Sequence, residues 1–134
     1  MASSLDLNAY RGKVVYLDFW ASWCGPCRQS FPWLSDMERQ FKSQDFVVIA
    51  VNVDLDHERA LNFLNEYPAE FPIIYDPAGD LATAYKVSGM PSAVLIDRTG
   101  HIRYQHAGFS IKKKDQYEEH IQALLSEPVP GGHH

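Results

Sequence analysis

Two apolar, β-branched runs, residues 13–19 (KVVYLDF) and 46–53 (FVVIAVNV), flank one amphipathic stretch, and this arrangement limits the fold more than any other feature. Neither run alternates with polar residues, which is the pattern of strands buried on both faces of a mainly parallel sheet. Between them Phe31, Leu34, Met37 and Phe41 recur at steps of three and four, which predicts a helix over 27–42. Strand, helix and strand in that order make a βαβ unit. Pro32 falls inside the helix, where it removes one backbone hydrogen bond and is expected to bend the axis without ending the periodicity.

Downstream, Asp56 is placed to cap a helix reaching residue 67, with Ala60, Leu61 and Leu64 facing inward. Residues 71–75 read as a short strand and 78–86 as a short helix. Segments 93–96 and 102–106 form a hairpin through Asp97-Arg98-Thr99-Gly100, and a last helix over 111–126 turns Tyr117, Ile121, Leu124 and Leu125 inward. That order gives an α/β fold, a three-layer α/β/α sandwich around a central mixed sheet. With 134 residues, 46% of them hydrophobic, the chain fits a single domain, here 5–126. Residues 1–4 read as a leader or expression remnant, and 127–134 as a tail in which Gly131-Gly132-His133-His134 resembles the end of a purification tag. The net charge of −5 provides no basic face for phosphates, which argues against nucleic acid as a partner. No run approaches the ~18 apolar residues of a membrane span.

The only two cysteines lie in Trp23-Cys24-Gly25-Pro26-Cys27, directly after the first strand. A disulfide across so short a ring constrains the unfolded chain very little, because loop-closure entropy grows with loop length. A closed zinc site needs four ligands, and no second cysteine pair is present. A redox dithiol is the reading that remains. At a helix N-terminus the macrodipole favours an anion, so Cys24 is expected to be an exposed thiol ionising below the ~8.5 of free cysteine and to act as nucleophile. Cys27, one turn deeper, is the shielded resolving thiol, and Gly25 and Pro26 set the tight turn between them.

Asp18 sits among apolar residues, where desolvation raises a carboxyl pKa toward neutrality, and it is the candidate base that deprotonates Cys27. The plainer alternative turns its side chain outward at the strand end. Trp20 and Trp23 flank the site and are either docking surface or core. Pro91, in Gly89-Met90-Pro91-Ser92, is an ordinary strand-entry proline or a cis one.

These residues resemble the thioredoxin superfamily, and within it the TlpA/ResA-like thiol-disulfide oxidoreductases. The likeness covers roughly residues 5–126 and rests on Gly12-Lys13, Phe19-Trp20-Ala21, Trp23-Cys24-Gly25-Pro26-Cys27, Phe31-Pro32, the run from Tyr85 to Ser92, Ile96-Asp97 and Gly100. It implies that Pro91 is cis and lies against the disulfide, and that Met90 offers backbone groups to an extended client segment. The stretch from Asp54 to Pro91 is longer than in thioredoxin proper by about one helix and one strand, and that inserted segment points to the TlpA/ResA branch. Two positions depart from the pattern. Ser30 stands where many members of the branch carry a glutamate, and Ala50 aligns with a lysine that partners the buried aspartate in thioredoxin.

The resemblance implies a monomeric enzyme that reduces disulfides of client proteins through a mixed disulfide. Its cofactor would be none beyond the Cys24–Cys27 disulfide itself, with no metal. Electrons would come from an upstream membrane or soluble thiol reductase. An extracytoplasmic location, the bacterial periplasm with an anchor in the full-length protein, is implied, with the cytoplasm as the alternative. Two other readings compete. One is a tryparedoxin-like or peroxide-linked cytosolic redox protein, though the peroxidase Pro-x(3)-Thr-x(2)-Cys setting is missing. The other is a copper metallochaperone using Cys24, Cys27 and a histidine, since soft Cu(I) suits thiolates. His57, His101, His106 and His120 read instead as solvated surface residues.

Overall fold

All seven residues of β1 (Val14–Trp20) are buried, as its unbroken apolar run predicts for the central strand of a covered sheet. In the computed structural model, which describes residues 5–129, β1 pairs in parallel with β2 (Phe46–Asn52) and antiparallel with β4 (Ser92–Ile96). Parallel to β2 runs β3 (Ile73–Tyr75), and antiparallel to β4 runs β5 (Ile102–Ala107), giving the order β3-β2-β1-β4-β5. The sheet is therefore mixed, as expected. The remnants read at 1–4 and 131–134 lie outside the described residues.

Helices α1 (Cys27–Phe41), α2 (His57–Glu66) and α4 (Lys114–Leu125) cover one face, over Tyr16, Trp20, Val48, Ala50 and Leu95. The short α3 (Asp80–Ala84) and a 3-10 turn at Leu7–Tyr10 cover the other, over Val15, Leu17, Phe19, Ile49 and Val51. This is the three-layer thioredoxin-like sandwich, with one layer much thinner than the other. The 3-10 turn carries too short a pattern to be read from sequence. Among the described residues no helix is long and apolar enough to cross a membrane.

Pro32 leaves α1 unbroken, and the neighbouring Phe31 ring packs against Trp20 at 4.7 Å, Phe63 at 5.1 Å and Phe71 at 5.4 Å. Asp56 caps α2 as anticipated, accepting from the Glu58 amide at 3.0 Å. One inward assignment on that helix is wrong: Leu61 is 47% exposed, and the inner place beside Ala60 belongs to Phe63. An aromatic ring reaches the Trp20–Phe31 pair, and that contact sets the rotation of the helix. The last helix begins at Lys114 rather than 111; residues 111–113 form a turn in which the Lys113 amide donates to the Ser110 carbonyl at 3.0 Å.

Candidate active site

At the C-terminal end of β1 the chain leaves the sheet through a chain of turns that carry both cysteines. The Cys24 amide donates to the Ala21 carbonyl at 3.1 Å, the Cys27 amide to Cys24 at 3.3 Å, and the Arg28 amide to Gly25 at 3.1 Å. A buried carboxylate ties this loop down. Asp54 accepts the Ser22 amide at 2.8 Å, the Ser22 hydroxyl at 2.7 Å and the Asn52 side-chain amide at 2.8 Å. None of Ser22, Asn52 and Asp54 was singled out from sequence. The signal that could have found them is the pair of Asx residues at the end of an apolar strand and two residues on, a pattern that bonds to nearby backbone and loops.

Cys24 and Cys27 form a disulfide with Cα atoms 5.4 Å apart. Pro26 is the N-cap residue of α1, with φ −62°, and Cys27 is its first residue. The first turn contains no acidic residue, so nothing there competes with a thiolate for the positive end of the dipole. The expected exposure of Cys24 is not found in the oxidised state. With the bridge closed, Cys24 is 3% exposed and Cys27 fully covered. Gly25 also differs from its reading. Its φ is not in the left-handed region and a Cβ there would meet no atom within 4 Å, so the turn does not require glycine. What Gly25 provides is open backbone beside the sulfurs.

The two tryptophans divide the roles offered to them. Trp20 is fully buried core, and Trp23 stands 67% exposed beside the disulfide. The Met90–Pro91 bond is cis. Ser92 pairs with Phe19, which brings Pro91 to the end of β1 from which the redox loop departs. The Pro91 carbonyl accepts the Gly108 amide at 2.8 Å, whereas neither backbone group of Met90 takes part in the loop's hydrogen bonds.

Asp18 points inward and not to solvent: it is 3% exposed, and its Oδ2 has no partner. Burial pushes its carboxyl well above the ordinary carboxylate range. It shares a cavity of about 10 Å³ with Pro91 and with Ser30, the residue one helical turn after Cys27. Across the sheet Asp18 is in register with Ala50, so no cation reaches it from β2, and the Ser30 hydroxyl donates to the Cys27 carbonyl at 3.2 Å. His106 corrects another expectation. It is 4% exposed, held by Tyr16 and His120, and burial followed by the charge of His120 lowers it to about 3. Among the described residues no three His, Cys, Asp or Glu side chains converge as a metal-holding group.

The match to known proteins follows the same residues. The Redoxin family model matches residues 1–121. The crystal structure of a DsbE-type thiol:disulfide interchange protein from Chlorobium tepidum is 48% identical, with TM-score 0.88, covering 91% of this chain and 86% of that one. The thiol-disulfide oxidoreductase ResA of Geobacillus kaustophilus is 31% identical over 118 residues, 88% of this chain and 67% of the relative. An exposed lipoprotein thioredoxin of Streptococcus pneumoniae is 31% identical, with TM-score 0.76, covering 88% of this chain and 90% of that one. This chain belongs to the Redoxin family as a ResA- and DsbE-like thiol-disulfide oxidoreductase.

Proposed function

We propose that the chain is a reductant of client-protein disulfides, working outside the cytoplasm and recharged by a membrane or soluble thiol reductase. The observation that carries this reading is the Gly25-Pro26 dipeptide between cysteines at the acid-free start of α1, which resembles the strongly reducing setting of thioredoxin. Support for the location comes from the branch the sequence resembles and from the likeness to an exposed lipoprotein thioredoxin.

In the reduced protein the Cys24 thiolate attacks one client sulfur, the client S–S bond breaks, and its other sulfur leaves as a thiolate. Asp18 takes the proton from Cys27. The Cys27 thiolate then attacks the Cys24 sulfur, the mixed disulfide breaks, and the second client thiolate departs. The client gains two electrons and the protein becomes the disulfide, with no cofactor beyond the sulfur pair. Pro91 lies against the reacting sulfurs, Met90 pairs its free backbone groups with an extended client segment, and Trp23 and the open backbone at Gly25 give the client its landing surface. Equilibration against dithiothreitol or glutathione buffers, followed by Trp23 fluorescence, tests the direction. A potential near about −270 mV supports the reductant role, and one near about −120 mV reverses it.

A further inference from the structure

The face of the sheet that holds Asp18 also carries a chain of hydrogen bonds that the redox step above does not use. Asp18 on β1, Ala93 on β4 and His106 on β5 lie in one cross-strand row, and Tyr16 lies two residues from Asp18 on the same face. The Tyr16 hydroxyl meets His106 Nδ1 at 2.9 Å, and His106 Nε2 meets His120 Nδ1 at 2.9 Å. Both rings are clamped by parallel stacking, His106 on Tyr117 with centroids 3.6 Å apart and His120 on Tyr104 at 3.9 Å. His120 is half-buried, at the outer end of the series.

From this geometry we infer that Tyr16, His106 and His120 relay protons between Asp18 and solvent, which rests on the reading of Asp18 as the base for Cys27. Asp18 needs such a route: it is buried, its Oδ2 is unpartnered, and the β2 position opposite it is Ala50. Tyr16 and Asp18 line the same cavity of about 10 Å³, at the lower limit for a single water, and no direct hydrogen bond joins them, so the first hop of the relay runs through a water in that cavity.

The hydrogen bonds can run in either of two senses, set by the histidine tautomers. Burial, then the charges of Asp18 and Tyr117, push Tyr16 up, so it keeps its proton, and in the first sense that proton is donated to His106 Nδ1. In that sense His106 carries its proton on Nε2 and donates to His120 Nδ1, leaving the His120 Nε2–H for solvent. His106, held neutral, passes a proton without retaining it. The groups facing it are Tyr16 and Asp18 from β1, Tyr104 on its own strand, and Tyr117 and His120 from α4.

When client is reduced, Asp18 gives Cys27's proton to Tyr16 through the water of that cavity. Tyr16 passes its own to His106 Nδ1, the His106 Nε2 proton moves to His120 Nδ1, and the His120 Nε2 proton enters water. When the disulfide is reduced again, Cys27 leaves as a thiolate and recovers a proton from Asp18, and the relay runs inward. The opposite half-reactions restore the two histidine tautomers once per turnover.

The test follows resolution of the mixed disulfide that Cys24 forms with dithiobis(nitrobenzoic acid), through release of the coloured thiolate. His120→Ala and Tyr16→Phe should each slow resolution about tenfold near neutral pH, leave Cys24 attack unchanged and retain the melting transition. Added imidazole buffer should restore His120→Ala, and neither substitution should slow an Asp18→Asn protein further. Unaltered rates, or slowing that imidazole does not relieve in His120→Ala and that adds to Asp18→Asn, would overturn the relay. Asp18→Asn with wild-type resolution would remove the base reading itself, a failure distinct from that of the relay alone.

Discussion

Two aspartates, each almost fully buried and at opposite ends of the same sheet, have opposite chemistry. Asp97, beyond the far end of β4, accepts from the Thr99 amide at 2.9 Å, the Thr99 hydroxyl at 2.6 Å, the His101 amide at 3.0 Å and Arg103 at 3.1 Å. Burial pushes its carboxyl up, but the Thr99 hydroxyl and these other donors outweigh burial and carry it down to about 2. Asp18, beneath the redox loop, has a bare Oδ2 and is pushed well upward by burial alone. A carboxyl that donors solvate close to the surface is thus a permanent anion, whereas one set deep with a bare oxygen is poised to exchange a proton. The far end is built for permanence in other ways. Arg98, 6% exposed, donates to the carbonyls of Gly12 at 2.8 Å and Leu125 at 2.9 Å, pinning β1's start to the end of α4.

The largest effect that can break this contrast is kinetic. Asp18→Asn should slow resolution by Cys27 about 100-fold near pH 7 while Cys24 attack continues, measured by stopped-flow release of the second client thiolate. In the wild type, resolution should quicken as pH rises through Asp18's raised pKa, since only the ionised carboxyl accepts a proton. A flat profile from pH 6 to 9 would contradict the assignment.

Next comes stability, where the two carboxyls predict opposite slopes. Asp18 binds a proton more tightly folded than unfolded, so it costs stability as pH rises above the ordinary carboxylate range toward its folded pKa. Asp18→Asn should therefore raise the melting temperature at pH 8 by several degrees, for about 1 kcal/mol, and much less at pH 4. Asp97 binds its proton less tightly folded, so its contribution is present above the ordinary range and disappears as pH falls toward about 2. Asp97→Ala should cost about 2 kcal/mol at pH 7 in urea unfolding and leave thiol kinetics unchanged.

The smallest contrast is between glycines. Gly100, in the turn after Asp97, has φ +91°, so Gly100→Ala should cost about 1 kcal/mol. Gly25→Ala, with no such demand, should stay within about 0.5 kcal/mol of wild type by the same urea titration. A large loss at Gly25 would mean that the redox turn uses glycine after all.

The fold was legible because its strands are long and apolar and its helices periodic. β1, β2, α1 and the hairpin lie within a residue or so of the segments read from sequence. Leu61 and Phe63 were misplaced because a helix's rotation is decided by a ring partner on another element, Trp20, which periodicity cannot see. At the site, the cysteine pair, Pro91 and buried Asp18 follow from local sequence and family likeness. The Asp54 tether and the His106 network were not visible, since each joins residues distant in sequence, 32 apart for Ser22 and Asp54 and 90 apart for Tyr16 and His106. Histidine is found about as readily half-exposed as buried, and here aromatic stacking and one partner on each nitrogen make its burial tolerable.

The division of labour between the two sulfurs is most directly tested by trapping. Each single serine variant, reduced and mixed with a disulfide-bonded client peptide, is quenched with acid and weighed by intact mass spectrometry. Cys27→Ser should accumulate one peptide adduct on Cys24, because attack proceeds and resolution cannot. Cys24→Ser should accumulate none on the same timescale. Equal adducts on both variants, or an adduct on Cys27 alone, would contradict the assignment.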